Sequence, residues 1–202
     1  MCRFIETIRM DYGFPRLLLY HEERMNRTRV EFFPGAGPLR LADYLPQGNP
    51  MSDVAKWRLV YDGSGVCESV CTPYRMREVQ TLRLVRADRL DYAYKFEDRS
   101  ALSACMALRG EADDVLVVRD GRITDTSIAN VALWDGAHWC TPEHPLLCGV
   151  KRRSLLESRR IVARDIRVEE LHRYTRIRLF NAMIEWGDID FRIDNGQLIM
   201  DN

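Results

Sequence analysis

Lysine is scarce in this chain. Lys56, Lys95 and Lys151 are the only lysines among 30 basic residues, and the rest are arginines. Because an arginine guanidinium stays protonated near neutral pH, it cannot act as an amine nucleophile. Any amine that bonds covalently to a substrate or cofactor must therefore come from one of these three lysines.

Several other features are absent, and each absence disfavours a class of protein. The 30 acidic residues balance the 30 basic ones, and no basic cluster is interleaved with aromatic residues, which disfavours nucleic-acid binding. The six cysteines are dispersed without a paired C-x-x-C, which disfavours structural zinc and a disulfide framework. The N-terminal residues lack the apolar stretch of a signal peptide, and no apolar run reaches the roughly 18 residues of a membrane span. We expect a soluble cytoplasmic protein with no metal site, no nucleic-acid partner and no membrane partner.

The first part of the chain alternates between strand and helix patterns. Residues 4–10 alternate apolar and polar side chains, and turn residues at 11–13 lead into the apolar run Leu17-Leu18-Leu19, which predicts an N-terminal hairpin. Helical spacing follows, and the segment from Pro34 to Pro38 ends it. The predicted elements are helices over 21–33 and 39–44 and paired strands over 56–61 and 69–74.

The rest of the chain is richer in strands. A strand pattern at 81–85 is followed by a predicted helix over 98–109 and a strand over 115–118, and two Asp-Gly turns at 120–121 and 135–136 predict tight hairpins. Further helices are predicted over 151–160 and 168–174. With a boundary near 76–80, the sequence predicts a mixed α/β (α+β) protein with a small lobe over residues 1–78 and a larger, strand-rich lobe over residues 79–202.

Five short motifs carry the functional signal. In chain order they are Phe4-Ile5-Glu6-Thr7-Ile8-Arg9, His21-Glu22-Glu23-Arg24, Tyr94-Lys95-Phe96-Glu97-Asp98-Arg99, Ile123 to Asn130, and Leu146-Leu147-Cys148-Gly149-Val150-Lys151-Arg152. Their order resembles the active-site layout of the fold-type IV pyridoxal-phosphate enzymes, the family of branched-chain aminotransferase, D-amino acid aminotransferase and 4-amino-4-deoxychorismate lyase. The resemblance implies the two-lobe fold of that family, with a reduced N-terminal lobe, and pyridoxal 5'-phosphate as cofactor.

The resemblance also assigns roles to individual residues. Lys95 is implied to bond covalently to the cofactor, and a pocket walled by Tyr94 and Phe96 would favour its neutral, nucleophilic form. Asp125 is implied to pair with the ring nitrogen of the cofactor, although the family usually carries a longer glutamate there, five positions before the asparagine that is Asn130 here. The cofactor phosphate is assigned to the Arg24 side chain and to four backbone amides, those of Val150, Lys151, Asn181 and Ala182.

Each motif taken alone has a plainer interpretation. An isolated lysine is usually a solvated surface residue. Asp125 alone is typical of an Asx turn with the two residues that follow it. Arg24 alone would be an exposed helix charge, and Gly149 a simple helix start. The combination of the motifs in the family's order favours the cofactor site.

The motifs specify the reaction less closely than they specify the cofactor. The arginine four positions after Lys95 and the small size favour a 4-amino-4-deoxychorismate lyase, which releases pyruvate and 4-aminobenzoate. The alternatives are an amino acid aminotransferase of the branched-chain or D-amino acid type and a non-catalytic cofactor-binding homologue. The resemblance further implies a small-molecule amine substrate and a homodimer with a shared active site. Candidates for binding substrate carboxylates are Arg9, Arg58, Arg75, Arg77 and Arg99, and candidates for a hydrogen bond to the cofactor's phenolic oxygen are Tyr74 and Tyr94.

Overall fold

The computed structural model describes residues 2–46, 53–193 and 198–199. The chain forms two compact units, and the sequence-distant segment Tyr94–Asp98 belongs to the first of them. The first unit consists of Met1–Met76 and Tyr94–Asp98, and the second of Arg77–Ala93 and Arg99–Asn202. The fold class is mixed α/β, as predicted. The division differs from a single cut after residue 78 because the segment around Lys95 is bonded to the N-terminal strand.

The first unit is an antiparallel sheet with one long helix. In the described residues its strands run in the order β2-β1-β3-β4, so β1 lies inside the sheet. The elements are β1 (Phe4–Asp11), β2 (Phe14–Pro15), α1 (Leu18–Phe32), a 3₁₀ helix (Leu41–Tyr44), β3 (Val54–Tyr61) and β4 (Val66–Pro73). The predicted helix over 21–33 and the predicted strand pair are therefore confirmed, and the predicted helix over 39–44 is a short 3₁₀ helix.

The N-terminal hairpin is shorter than predicted. β1 turns back at residues 11–14 and pairs with a second strand of only two residues. One further bond, from Arg16 N to Arg9 O at 2.8 Å, follows Pro15, and Leu17 then adopts a left-handed backbone with φ of 54°. The expectation that Leu17 to Leu19 would form the returning strand is wrong, since Leu18 and Leu19 open α1.

The segment Tyr94–Asp98 is held against β1 by its backbone. Ile5 N donates to Lys95 O at 2.9 Å, and Glu97 N donates to Arg3 O at 2.9 Å. Between these bonds Phe4 and Phe96 form an antiparallel bridge. The helix predicted over 98–109 forms only from Ser100 to Ala107, so Asp98 belongs to this non-helical segment.

The second unit contains two sheets. Among the described residues one sheet has the strand order β10-β9-β8-β11-β12 and the other β13-β5-β6-β7. The elements are β5 (Leu82–Arg86), α2 (Ser100–Ala107), β6 (Asp114–Arg119), β7 (Arg122–Thr126), β8 (Asn130–Trp134), β9 (Trp139–Pro142), α3 (Val150–Glu157), β10 (Val162–Arg164), a 3₁₀ helix (Val168–Arg173), β11 (Arg176–Phe180), β12 (Ile189–Arg192) and β13 (Leu198–Ile199).

Both predicted Asp-Gly turns connect antiparallel strands. Asp120 and Gly121 adopt φ values of 52° and 74° between β6 and β7, which is the geometry of a tight hairpin turn. The turn at 135–136 connects β8 and β9. A shared core of aliphatic side chains from both sheets, including the fully buried Leu82, Leu116 and Leu133, holds the unit together. No helix in the described part of the chain is both long enough and apolar enough to cross a membrane.

Candidate functional site

Lys95 lies in the irregular segment between β5 and α2. It is half-buried, and its carbonyl is tied to β1. The flanking Tyr94 and Phe96 are half-buried and pack against the core of the first unit, where their ring centroids lie 4.7 and 5.9 Å from that of Phe32. These contacts anchor the segment that carries the Lys95 amine. A pocket walled by the two rings stays a prediction.

A buried carboxylate organises the helix side of the first unit. Glu6, which points inward from β1, is fully buried. Arg24 donates to both of its oxygens, from Nε at 2.9 Å and from Nη2 at 2.5 Å. His21 Nδ1 lies 2.6 Å from Glu6 Oε2. Residues three positions apart lie on the same face of a helix, so α1 presents both side chains to one carboxylate.

The charges in this cluster are well defined. Burial alone would raise the pKa of Glu6, but the Arg24 charge and the His21 hydrogen bond lower that pKa to about 2. Burial lowers the pKa of His21, against the opposing hydrogen bond and charge of Glu6, and the positive charges of Arg24 and Lys95 lower it further. His21 is therefore neutral, with its proton on Nδ1 facing the carboxylate. Its Nε2 atom is buried and has no hydrogen-bond partner within the described chain.

The plain interpretation of Arg24 is wrong. It is not an exposed helix charge, because only 8% of its surface is accessible and Glu6 fixes two of its donors. An arginine held in this way has a set orientation before any anion arrives. Its predicted contact with the cofactor phosphate stays a prediction.

Asp125 is a buried carboxylate in the second unit, at the end of β7. Its Oδ1 accepts from Asn130 Nδ2 at 2.8 Å, and its Oδ2 accepts from Leu147 N at 2.9 Å. Burial raises the pKa of Asp125 to about 6, against the opposing bonds from Leu147 and Asn130 and the charge of Arg152. The local turn is closed by Thr126, whose hydroxyl accepts from Ala129 N at 3.0 Å. The carboxylate is thus bonded to Asn130 and Leu147, five and 22 residues along the chain, and not to the two residues of an Asx turn.

The start of α3 lies next to this carboxylate. Gly149 is its N-cap, and a Cβ built on Gly149 would lie 2.1 Å from Asn130 Oδ1. Only a glycine fits this approach. The first amides of a helix have no acceptor within the helix, so those of Val150 and Lys151 are suited to an anion. The Lys151 ammonium is paired with the Glu185 carboxylate. The predicted contact with the phosphate uses the backbone amide of Lys151 and not this side chain.

The turn after β11 carries the two remaining predicted donors. The Asn181 amide hydrogen is used within that turn, where Asn181 N donates to Ile184 O at 3.3 Å. The Asn181 side chain also serves the turn, because its Oδ1 accepts from Met183 N and Ile184 N at 2.7 and 2.9 Å. Asn181 is therefore a structural residue of the turn, and the predicted role of the Asn181 and Ala182 amides stays a prediction.

Most candidate substrate arginines have partners within their own unit. Arg9 pairs with Asp11, Arg58 with Glu68 and Glu97, and Arg77 with Asp114, while Arg99 donates to Ser127 O and Arg75 is exposed. Arg99, the arginine of the lyase-type spacing, thus holds the carbonyl of the loop that follows Asp125. Tyr74 is half-buried, and Tyr94 packs in the core.

The motifs contain three residues of the site whose roles the sequence did not predict. They are Glu6, His21 and Asn130, which orient Arg24 and Asp125. A polar residue at an inward position of a strand was the available signal for Glu6, since a buried carboxylate requires a partner. No comparable signal marks Asn130, because its partners are fixed by loop geometry.

The donor set suits pyridoxal phosphate. The cofactor requires an amine, a carboxylate for a protonated ring nitrogen and donors for a phosphate dianion. The first unit carries a half-buried lysine and an oriented arginine, and the second carries a buried carboxylate and a helix N-terminus. The raised pKa of Asp125 shows that burial disfavours its anion, so a cationic partner would stabilise it.

Comparison with known proteins agrees with this donor set. Residues 96–190 match the model of the family Amino-transferase class IV. An uncharacterized protein of Haemophilus influenzae is 27% identical over 186 residues, which are 91% of this chain and 98% of that protein. A structure from Haemophilus somnus, of a protein proposed to be a 4-amino-4-deoxychorismate lyase, superposes with a TM-score of 0.82 and 31% identity, and the match covers 91% of this chain and 97% of that one.

A second structure supports the fold alone. A protein of Mesorhizobium loti, proposed to be an amino-acid aminotransferase, superposes with a TM-score of 0.76 and 22% identity, over 99% of this chain and 100% of that one. The family match, the similarity across almost the whole chain and the donor set lead to one assignment. The chain belongs to the class IV aminotransferase family, the fold-type IV enzymes that depend on pyridoxal phosphate.

Proposed function

We propose that this enzyme is a 4-amino-4-deoxychorismate lyase, which converts its substrate to pyruvate and 4-aminobenzoate and would serve folate biosynthesis. The observation that carries the proposal is the similarity, at 31% identity over nearly the full length of both chains, to a protein proposed to have this activity. The spacing of Lys95 and Arg99 supports it.

Lys95 is the residue to which we assign proton transfer. Its amine would remove the proton from the substrate carbon that bears the amino group. The electron pair left on that carbon then forms a double bond to the neighbouring ring carbon and breaks the bond from that carbon to its ether oxygen. Enolpyruvate departs as the ring becomes aromatic, and it takes up a proton to become pyruvate. When bound, the cofactor supplies the electron sink that makes this proton removable.

The other site residues would hold the cofactor. Asp125 would keep a proton on the ring nitrogen through its negative charge. Arg24 would contribute charge to phosphate binding, and the first amides of α3 would contribute fixed donors. Glu6 would orient Arg24, because it accepts from two of its nitrogens in a buried environment.

An aminotransferase is the second candidate, and the full-length structural similarity to the Mesorhizobium loti protein favours it. The first proton transfer from carbon to Lys95 would be the same in both reactions. The two differ in where the proton goes next, and in the aminotransferase an oxo acid takes up the amino group. A non-catalytic homologue would bind the cofactor without turning over either substrate.

The first experiment tests the cofactor lysine. Purified protein is reconstituted with pyridoxal phosphate, reduced with borohydride and digested, and the labelled peptide is identified by mass spectrometry. We expect the label on Lys95 in the wild-type protein and in Lys56→Ala, the matched control, and no label in Lys95→Ala. A label that persists in Lys95→Ala would overturn the assignment of Lys95.

The second experiment separates the reactions. The wild-type enzyme is incubated with 4-amino-4-deoxychorismate, and pyruvate and 4-aminobenzoate are quantified. In parallel it receives branched-chain or D-amino acids with 2-oxoglutarate, and glutamate is quantified. Equal amounts of pyruvate and 4-aminobenzoate support the lyase. Glutamate formation without pyruvate release would overturn the lyase in favour of the aminotransferase, and neither product would favour the non-catalytic homologue.

We also propose that the enzyme works in the cytoplasm as a homodimer with a shared active site. The resemblance to the family motifs supports this assembly. Light scattering on the purified protein tests the assembly, and a monomeric mass in a fully active sample would contradict it.

A further inference from the structure

Asn130 connects two parts of the second unit through a single amide group. It is the first residue of β8 and is 5% exposed. Its Nδ2 donates one hydrogen to Asp125 Oδ1 and the other to Leu147 O, both at 2.8 Å. Leu147 N donates back to Asp125 Oδ2 at 2.9 Å. The three bonds form a closed ring that fixes both oxygens of the carboxylate.

The chemistry of this ring suits an amide side chain. Among uncharged side chains, those of asparagine and glutamine carry one nitrogen that donates two hydrogen bonds, whereas a serine hydroxyl donates one and a carboxylate none. One of the two acceptors is the Asp125 carboxylate near the end of β7, and the other is the Leu147 backbone carbonyl. The side chain of Asn130 therefore holds the Asp125 carboxylate in place relative to the Leu147 backbone.

The other end of the Asn130 amide lies against the start of α3. A Cβ on Gly149 would approach Asn130 Oδ1 to 2.1 Å, so the backbone passes the amide without room for a side chain. The helix begins at the next residue, Val150. The place at which α3 starts is thus set by contact with the same side chain that holds Asp125.

We propose that Asn130 is a positioning residue for the cofactor, which locks the Asp125 carboxylate to the Leu147 backbone and sets the place where α3 begins. The inference rests on the cofactor roles proposed above for Asp125 and for the first amides of α3. Without the Asn130 amide, the carboxylate loses the hydrogen bond to its Oδ1 and is held by Leu147 N through Oδ2 alone among the bonds of this ring. The ring-nitrogen partner and the phosphate donors then no longer form one rigid unit.

The test uses the holoenzyme reconstituted with pyridoxal phosphate that carries nitrogen-15 in its ring. The variants are Asn130→Ala and Asn130→Ser, the second of which retains one donor. Asn26→Ala is the matched control, because Asn26 also bridges backbone groups, with bonds to Leu39 O at 2.9 Å and from Leu39 N at 2.8 Å. The readouts are the pH titration of the ring-nitrogen NMR shift and the dissociation constant of the cofactor. The carboxyl titration of Asp125 in the apoprotein is followed by carbon-13 NMR.

In Asn130→Ala we expect the ring nitrogen to lose its proton about one pH unit lower than in the wild type and the dissociation constant to rise roughly tenfold. The Asp125 carboxyl should titrate at higher pH in the apoprotein, because one hydrogen bond to its anion is lost. Asn130→Ser should lie between, and Asn26→Ala should match the wild type.

An unchanged ring-nitrogen titration in folded Asn130→Ala would overturn the inference, even if Asp125 titrates differently in the apoprotein, since Asn130 would then serve the fold alone. If Asn130→Ala does not fold, Asn130→Ser decides by the same criterion. Failure of both variants to fold also counts against a positioning role. A wild-type enzyme that binds the cofactor but releases no pyruvate would refute the lyase function and leave this test intact.

Discussion

Replacing Glu6 with glutamine removes the only carboxylate that the structure places between His21 and Arg24, within the described residues. The pKa of Glu6 lies at about 2 in the folded protein, against an ordinary value of 4.5. A difference of this size corresponds to about 3 kcal/mol of stability from the ionised form. Removing one member of a buried ion pair costs about 3–5 kcal/mol, because the other charge is left uncompensated. Both routes predict a loss of about 3 kcal/mol in the free energy of unfolding at neutral pH.

Urea denaturation of the apoprotein measures this loss. Because the pKa of Glu6 is lower in the folded state, its contribution is complete above about pH 5 and disappears as the pH falls through about 2. The difference between the wild type and Glu6→Gln should therefore shrink to roughly 1 kcal/mol at pH 3. Glu6 raises the pKa of His21 through its hydrogen bond and charge, so we expect His21 to take up its second proton at lower pH in Glu6→Gln than in the wild type.

The control is Glu97→Gln. Glu97 pairs with Arg58 at 3.0 Å, but both side chains are 30% exposed, so water competes for the charges. An exposed pair contributes about 0–1 kcal/mol, and we expect a loss in that range. A loss below about 1 kcal/mol in Glu6→Gln, or equal losses in the two variants, would refute the conclusion that Arg24 depends on a desolvated carboxylate.

Three further variants test the packing and charge of the second unit. Gly149→Ala should lower the free energy of unfolding by about 1–3 kcal/mol in urea, because its Cβ would lie 2.1 Å from Asn130 Oδ1, whereas Gly37→Ala, whose Cβ meets nothing within 4 Å, should not lower it. Equal effects would contradict the close approach. Asp125→Asn should raise apoprotein stability by about 1 kcal/mol at pH 8 and weaken cofactor binding, because burial raises the pKa of Asp125 to about 6 and the stability of its protonated form is lost as the pH rises through that value. A gain in stability seen only near pH 4 would contradict a raised pKa of Asp125. Arg178→Ala should cost about 1–2 kcal/mol and shift tryptophan emission to the red, because the guanidinium lies 4.2 and 4.8 Å from the centroids of two tryptophan rings. An unshifted spectrum would argue against this stacking in solution.

Local patterns predicted the elements well where the relevant interactions are local. The Asp120-Gly121 turn forms because only residues that tolerate positive φ close a two-residue hairpin, and that tolerance is a property of the residues themselves. The end of α1 near Pro34 also depends on a property of the residue itself, because proline does not continue a helix. The prediction for Leu17 to Leu19 was wrong because an apolar run of three is compatible with a strand and with a helix start, and the packing of α1 decided between them.

The surroundings of Lys95 depended on contacts that sequence spacing does not encode. The fold packs the rings of Tyr94 and Phe96, which flank the lysine, beside Phe4 of β1. The backbone of this segment is bonded to β1, some 90 residues earlier, which makes Lys95 part of the first unit. Pairing between such distant segments reflects the burial of a whole face and not the preference of a few residues.

The sequence by itself indicated the family and predicted which residues carry its chemistry. The scarcity of lysine and the order of five motifs selected Lys95 as the amine and Asp125 as the carboxylate, because side-chain chemistry is fixed by residue type. Only the tertiary structure decided how those groups are held. Burial between β1 and α1 gives Arg24 its Glu6 partner, and the approach of Gly149 to Asn130 ties the carboxylate to the start of α3. Desolvation and side-chain contacts depend on residues that are distant in the sequence, so the pattern of neighbouring residues does not predict them.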